Sequence, residues 1–176
     1  MADNVTAREL ARRRSKSNMG QELYSQLSLH EGKRNEVYED SEGIATIGIG
    51  FNLEESSNRK KAESLGLSVK DMLSGKKVLS EKEIKMLFNE SLKQSIDDAN
   101  KFLPRAGSHP EAVQKVLVDM SFNLGLTRLN KFKNMKKALL ARDYKKAANE
   151  MIDSKWYGQV GDRSKTLVKM MRSAAK

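Results

Sequence analysis

Residues 30–53 read His30-Glu31-Gly32-Lys33-Arg34-Asn35-Glu36-Val37-Tyr38-Glu39-Asp40-Ser41-Glu42-Gly43-Ile44-Ala45-Thr46-Ile47-Gly48-Ile49-Gly50-Phe51-Asn52-Leu53. The texture of the chain changes inside this stretch. Up to His30 the apolar residues keep helical spacing: Leu23, Tyr24 and Leu27 share one face of a helix from about Met19, with Asn18 and Gln21 as candidate caps. Gly32 stops that helix just after Glu31, because glycine enters the left-handed backbone region without a Cβ penalty. Past Val37 the residues favour strands. Asp40-Ser41-Glu42-Gly43 reads as a turn, and Ile44 to Phe51 as a strand bent at Gly48 and Gly50. A helix that hands over to a hairpin predicts a small lobe of mixed structure.

Outward from this stretch the chain is helical. Asn58 to Gly75 is charged and weakly helical. Ser80-Glu81-Lys82-Glu83 then forms a capping box. It opens a long helix, about Glu81 to Phe102, with Ile84, Leu87, Phe88, Leu92, Ile96 and Ala99 along one stripe. Pro104 follows it. Pro110 starts the next helix, with Val113, Val116, Leu117 and Met120 inward and Gly125 at its stop. Amphipathic segments 132–140, 144–152 and 164–171 complete the chain. The expected class is α+β and predominantly helical. A basic, solvated tail (1–18), whose alanines and leucine could support a short helix, should precede one domain (19–176), divided into a small α/β lobe with a short antiparallel sheet (19–79), a connecting helix (80–103) and a helical lobe (104–176).

Composition bounds the function. At 176 residues and 38% hydrophobic, the chain can bury a core. Its formal charge of +10 draws it toward polyanions without choosing among nucleic acid, anionic lipid and bacterial wall polymers. It has no cysteine, which excludes disulfides and thiolate chemistry, and only two histidines, His30 and His109, which argues against a histidine-rich metal site. No apolar run is long enough to span a bilayer, and no apolar core follows Arg8, Arg12, Arg13 and Arg14, so neither membrane insertion nor a secretory signal is expected. His109, the methionines and the pair Trp156-Tyr157 read first as structure, although Trp156 and Tyr157 could also stack on a ring.

Two carboxylates stand out. Glu31 sits where the negative end of a helix macrodipole disfavours its charged form, as a proton donor requires. Asp40 lies in a turn, open to water. Paired acids in contrasting environments suit cleavage of a glycosidic bond, yet Glu at a helix end and Asp in a turn are also ordinary structural placements. Thr46 projects from the bent strand, and the glycines beside Ile49 let that strand lie close to a substrate or to another element.

His30-Glu31-Gly32, Val37 to Gly43 and Thr46-Ile47-Gly48-Ile49-Gly50 together resemble the catalytic segment of the T-even-phage lysozyme family, glycoside hydrolase family 24. Met120-Ser121-Phe122-Asn123-Leu124-Gly125 is similar to that family's central helix, and Lys155-Trp156-Tyr157 with Arg163 to its C-terminal cleft wall. The likeness covers roughly residues 20–173. It implies a lysozyme-like fold and hydrolysis of the β-1,4 bond between N-acetylmuramic acid and N-acetylglucosamine, with inversion and no metal or cofactor. Glu31 would be the general acid, Asp40 and Thr46 the holders of the attacking water, and Arg163 the partner of the acid. Phe122, Asn123 and Leu53 would bind the sugar or support the site. Two positions depart: Phe51 stands where members carry histidine, and Asn123 where members carry glutamine.

The partner implied is the glycan strand of bacterial peptidoglycan, met by a monomer that is made in a host cytoplasm. It would reach the wall through a separate pore-former or aboard a virion. Rival readings are a lytic transglycosylase, which needs Glu31 but no water holder, an inactive wall-binding module, and a basic nucleic-acid-binding protein.

Overall fold

The first helix, α1, spans Ala7–Glu31 in the computed structural model, which describes residues 6–175. It starts well before the expected Met19, so within the described residues the solvated tail is a helix. Thr6 caps it, its Oγ1 accepting from the Glu9 amide at 3.3 Å. Residues 7–18 are all exposed, which leaves high intrinsic propensity (alanines, arginines, a leucine) and the cap to set the helix there. Residues 1–5 of the expected tail lie outside the described residues.

Three short strands follow: β1 (Arg34–Glu39), β2 (Ala45–Gly48) and β3 (Phe51–Asn52), antiparallel in the order β1-β2-β3. Tyr38 lies opposite Thr46, and Thr46 opposite Asn52; the β1–β2 register is interrupted between Arg34 and Tyr38. The charged stretch forms α2 (Ser56–Ser64) and α3 (Val69–Leu73). The long helix α4 (Glu81–Phe102) carries the full capping box between Ser80 and Glu83. A single 3-10 turn at Ala106–Ser108 leads to α5 (Glu111–Leu129), which is broken at Gly125, where φ is 71°. Then come α6 (Lys133–Leu140), α7 (Tyr144–Ile152), α8 (Lys155–Gln159) and α9 (Asp162–Ser173). The class is the expected one, mostly helical with a small antiparallel sheet. The short α8, with Trp156 and Tyr157, has too few residues to show a helical period, and sequence reading passed over it.

The buried side chains form two cores. Leu27, Ile47, Ile49, Phe51, Leu53, Met72 and Leu87 belong to the core around the sheet. Leu23, Phe102, Leu117, Met120, Trp156 and Leu167 belong to the core of the helices. Both α1 and α4 feed both cores, α1 through Leu27 and Leu23, and α4 through Leu87 and Phe102. The connecting helix is therefore doubled, and the end of α1 that bears Glu31 is anchored on both sides.

Candidate active site

A cleft of about 810 Å³ is lined by Glu31, Arg34, Tyr38, Asp40, Thr46 and Gly50 on one wall and by Phe122, Asn123 and Arg128 on the other, with Asp98 of α4 between. Each approach follows from local structure. Glu31 is the last residue of α1 and Gly32, at φ 77°, turns the chain out of the helix. Gly50, at φ 62°, brings β2 and β3 against Glu31: a Cβ there would stand 3.2 Å from Glu31 Oε2. Gly50 is thus required twice, by its backbone angle and by that approach. Gly48 approaches Ile84 of α4, so the element the strand meets there is a helix.

Glu31 Oε1 accepts a hydrogen bond from Arg163 Nη1 at 2.7 Å. The expected pairing therefore exists, with Arg163 buried behind the acid and outside the cleft lining. Arg163 is itself held from the other side, its Nε donating to Asp119 Oδ1 at 2.7 Å and its Nη2 to the Asp119 carbonyl at 3.3 Å. Asp119 is fully buried on α5. Its Oδ2 accepts from Gln26 Nε2 at 2.6 Å and lies 2.8 Å from His30 Nδ1. Burial alone would push the Asp119 carboxyl up; the His30, Arg163 and Gln26 contacts outweigh it and hold the group below its ordinary range. An ionised carboxylate only accepts, so His30 Nδ1 must carry the hydrogen. Sequence reading missed Asp119, Gln26 and this use of His30. The one signal available was that Gln26 and His30 lie four residues apart on one face of α1.

Asp40 is held locally. Its Oδ1 accepts from the amides of Glu42 at 2.8 Å and Ile44 at 3.0 Å, and the Asp40 and Ile44 backbones bond across the turn at 3.0 Å. No described residue donates to Asp40 Oδ2. Thr46 Oγ1 donates to the Ile44 carbonyl at 3.0 Å, which leaves the hydroxyl lone pairs as acceptors in the cleft. Tyr38, which sequence reading did not single out, is electrostatically coupled to both carboxylates. Burial first, then the charge of Glu31, push its phenol up; Arg34, stacked 4.7 Å over the ring, opposes this, and Asp40 reinforces it.

On the far wall Phe122 packs against Phe88 of α4 with ring centroids 6.0 Å apart. Asn123 Oδ1 accepts from Trp156 Nε1 at 2.9 Å, leaving the Asn123 amide nitrogen for other acceptors. Trp156 is buried, as its structural reading expects, and borders a hollow that continues the cleft past Ser41, Glu42 and Arg128. Leu53 lies away from the cleft. It is fully buried in the core around the sheet and is absent from the cleft wall, so it supports the fold and does not face a sugar. Phe51 is likewise buried there, which turns a position that carries histidine in the family into core. Among the described residues no cluster of three histidine, cysteine or carboxylate side chains is arranged to hold a metal ion, and no helix is long and apolar enough to cross a membrane.

Known proteins share this arrangement of sequence. Probable T4-type lysozyme 1 of Dictyostelium discoideum is 26% identical over 155 residues, 84% of this chain and 91% of that protein. Probable T4-type lysozyme 2 of the same organism is 26% identical over 159 residues, 86% and 94% of the two chains. The pre-baseplate central spike protein Gp5 of Enterobacteria phage T4 is 29% identical over 172 residues, 93% of this chain but 30% of that protein. With the phage lysozyme profile matching residues 28–176, a span that holds every cleft residue described above, the chain belongs to the phage lysozyme family and is a glycoside hydrolase, a muramidase.

Proposed function

We propose that the protein hydrolyses the β-1,4 bond between N-acetylmuramic acid and N-acetylglucosamine in peptidoglycan, with inversion at the anomeric carbon. The observation that carries this reading is one cleft lined by Glu31, Asp40 and Thr46, with free acceptor positions on Asp40 Oδ2 and Thr46 Oγ1. Glu31 protonates the glycosidic oxygen as the bond to the anomeric carbon breaks. Asp40 accepts a proton from a water that Thr46 also holds, and the water oxygen forms the new bond from the opposite face. Tyr38 remains a neutral phenol and can donate to a sugar hydroxyl or to water. Phe122 offers a flat apolar wall and the Asn123 amide a donor to an acetamido carbonyl. Arg163 orients the acid.

A transglycosylase needs no water holder, so the paired acceptors at Asp40 and Thr46 favour hydrolysis. Mass spectrometry of fragments from purified peptidoglycan checks this: the reading expects reducing ends, and anhydro sugars would reject it. Proton NMR of fresh product on a soluble glycan oligomer should show the α-anomer before mutarotation. A β-anomer would reject the water-holding role of Asp40 and Thr46.

The excess positive charge concentrates the enzyme on an anionic wall, and that attraction should weaken with salt. The enzyme acts as a monomer and reaches the wall either through a pore-former or aboard a virion. The spike relative supports the virion route. Immunoblotting of purified particles distinguishes the two.

A further inference from the structure

We propose that Asp119 is a positioning residue for the catalytic acid: by taking the Nε edge of Arg163, it limits that guanidinium to one hydrogen bond with Glu31 and leaves Glu31 Oε2 free to carry and deliver the proton. The inference rests on the reading of Glu31 as the general acid.

The shape of guanidinium sets the constraint. It presents a rigid fork of donors that matches a carboxylate in pairs, so an unrestrained arginine beside a glutamate tends to take both oxygens. Here the fork is divided. Nε and Nη2 both point to Asp119, to its Oδ1 and its main-chain carbonyl, and only Nη1 reaches Glu31, at Oε1. No described residue donates to Glu31 Oε2, the oxygen beside Gly50. A bidentate arginine would occupy both oxygens and favour the anion, the wrong form for a donor. A single bond to one oxygen orients the carboxyl and leaves the other available.

Asp119 can do this because it is itself fixed. Fully buried on α5, it accepts from three side chains on two other helices: Arg163 of α9, and Gln26 and His30 of α1. Its negative charge also offsets the Arg163 charge next to the acid. The charged and titratable groups around Glu31 are then Arg163 from α9, Asp119 from α5, His30 from α1, Arg34 and Tyr38 from β1, Asp40 from the turn and Asp98 from α4. Of these, only Asp119 and its two donors from α1 govern how Arg163 meets the acid.

The test is Asp119→Asn in the full chain, with kcat and KM followed against pH on a soluble peptidoglycan oligomer. Asparagine keeps the size and one acceptor but loses the charge. Arg163 is then held less firmly at its Nε edge and can turn toward the second Glu31 oxygen, and its charge acts uncompensated. The expected result is a basic limb of kcat displaced to lower pH by about one unit, with kcat near neutral pH down by about tenfold and KM little changed. A merely structural Asp119 would lower the amount of folded enzyme and leave the limb in place, and an unmoved limb in a folded variant overturns the proposal. If Asp119→Asn does not fold, carbon-13 NMR of the parental protein decides. Asp119 must remain ionised throughout the pH range in which the Glu31 carboxyl signal moves; a protonated Asp119 in that range overturns the proposal. Glu31→Gln separates the two failures. If it is inactive while the Asp119→Asn limb is unmoved, only the positioning role falls; if it is active, the acid assignment falls first.

Discussion

Glu31 and Asp40 line the same cleft, yet opposite means hold them there. The partner of Glu31, Arg163, lies 132 positions away, and its anchor Asp119 belongs to a third helix. Asp40 is held by backbone amides two and four residues on, within its own turn. One carboxyl depends on the packing of the two cores against each other. The other is set by a local turn before any packing occurs. Damage in the helical lobe should therefore reach the acid and spare the water-holding side, and the two should fail separately.

The largest effect is expected at Glu31 itself. Glu31→Gln keeps the shape and the acceptor that Arg163 needs but removes the transferable proton. Turnover of purified walls should fall by roughly 10²–10⁴-fold. The thermal midpoint should hold or rise, since a functional acid in a cleft is often a cost to the native state. Near-parental clearing by this variant would end its assignment as the acid.

Arg163→Ala attacks the long-range side of the comparison. It leaves Asp119 buried without its charged partner, and breaking a buried pair costs about 3–5 kcal/mol, measurable by urea unfolding. Asp119 is held below its ordinary 3.8, so its contribution is fully present above that value and is lost as pH falls through the folded one. Without Arg163 the acid unfolding midpoint should move to higher pH. In the protein that remains folded, loss of the cation favours the neutral acid, and the basic limb of the rate profile should rise, opposite to Asp119→Asn. If both variants move the limb the same way, Arg163 and Asp119 do not oppose one another at Glu31.

The same contrast explains what the sequence made legible. Signals confined to a few residues read correctly in the Ser80 capping box and the Asp40 turn, whereas Gly125, expected to stop its helix, breaks α5 without ending it. That the short helix of the tail runs unbroken into α1 escaped because nothing there is buried; only propensity and the Thr6 cap set it, and periodicity reports burial. The Asp119 cluster escaped because its donors lie 44 to 93 positions away in the chain. Leu53 is different, because its signal was present. Ile47, Ile49, Phe51 and Leu53 recur every second residue through β2, the turn and β3 and are all nearly fully buried, so this apolar spacing marks Leu53 as core.

Gly50 is where the two sides meet, which makes Gly50→Ala the next test. The backbone angle costs alanine about 1–2 kcal/mol, and the new methyl presses on Glu31 Oε2. Stability should fall by about that amount, and kcat should fall more than backbone strain alone implies, because the oxygen touched is the one left free for the proton. A Gly50→Ala protein with lower stability but parental kcat would mean that the approach of β3 constrains the fold and not the acid.

The smallest effect on stability, and the sharpest test of the local side, belongs to Asp40→Asn. The Asn side-chain oxygen can still accept from the Glu42 and Ile44 amides, so the turn should survive within roughly 0.5 kcal/mol, whereas Asp40→Ala forfeits both bonds and should cost about 0.5–1.5 kcal/mol. Activity should separate from stability. Asn removes the proton acceptor while preserving the turn, and its turnover should drop nearly as far as that of Ala. Cysteine, whose thiolate can accept a proton but cannot hold the turn as a carboxylate does, should lose stability like Ala and yet retain more turnover. The order of stability, Asp and Asn above Ala and Cys, would then differ from the order of activity, Asp above Cys above Ala. Urea midpoints and initial rates on one set of purified variants read both orders together. If the two orders coincide, Asp40 serves only to build the turn, and the water must be held by another group.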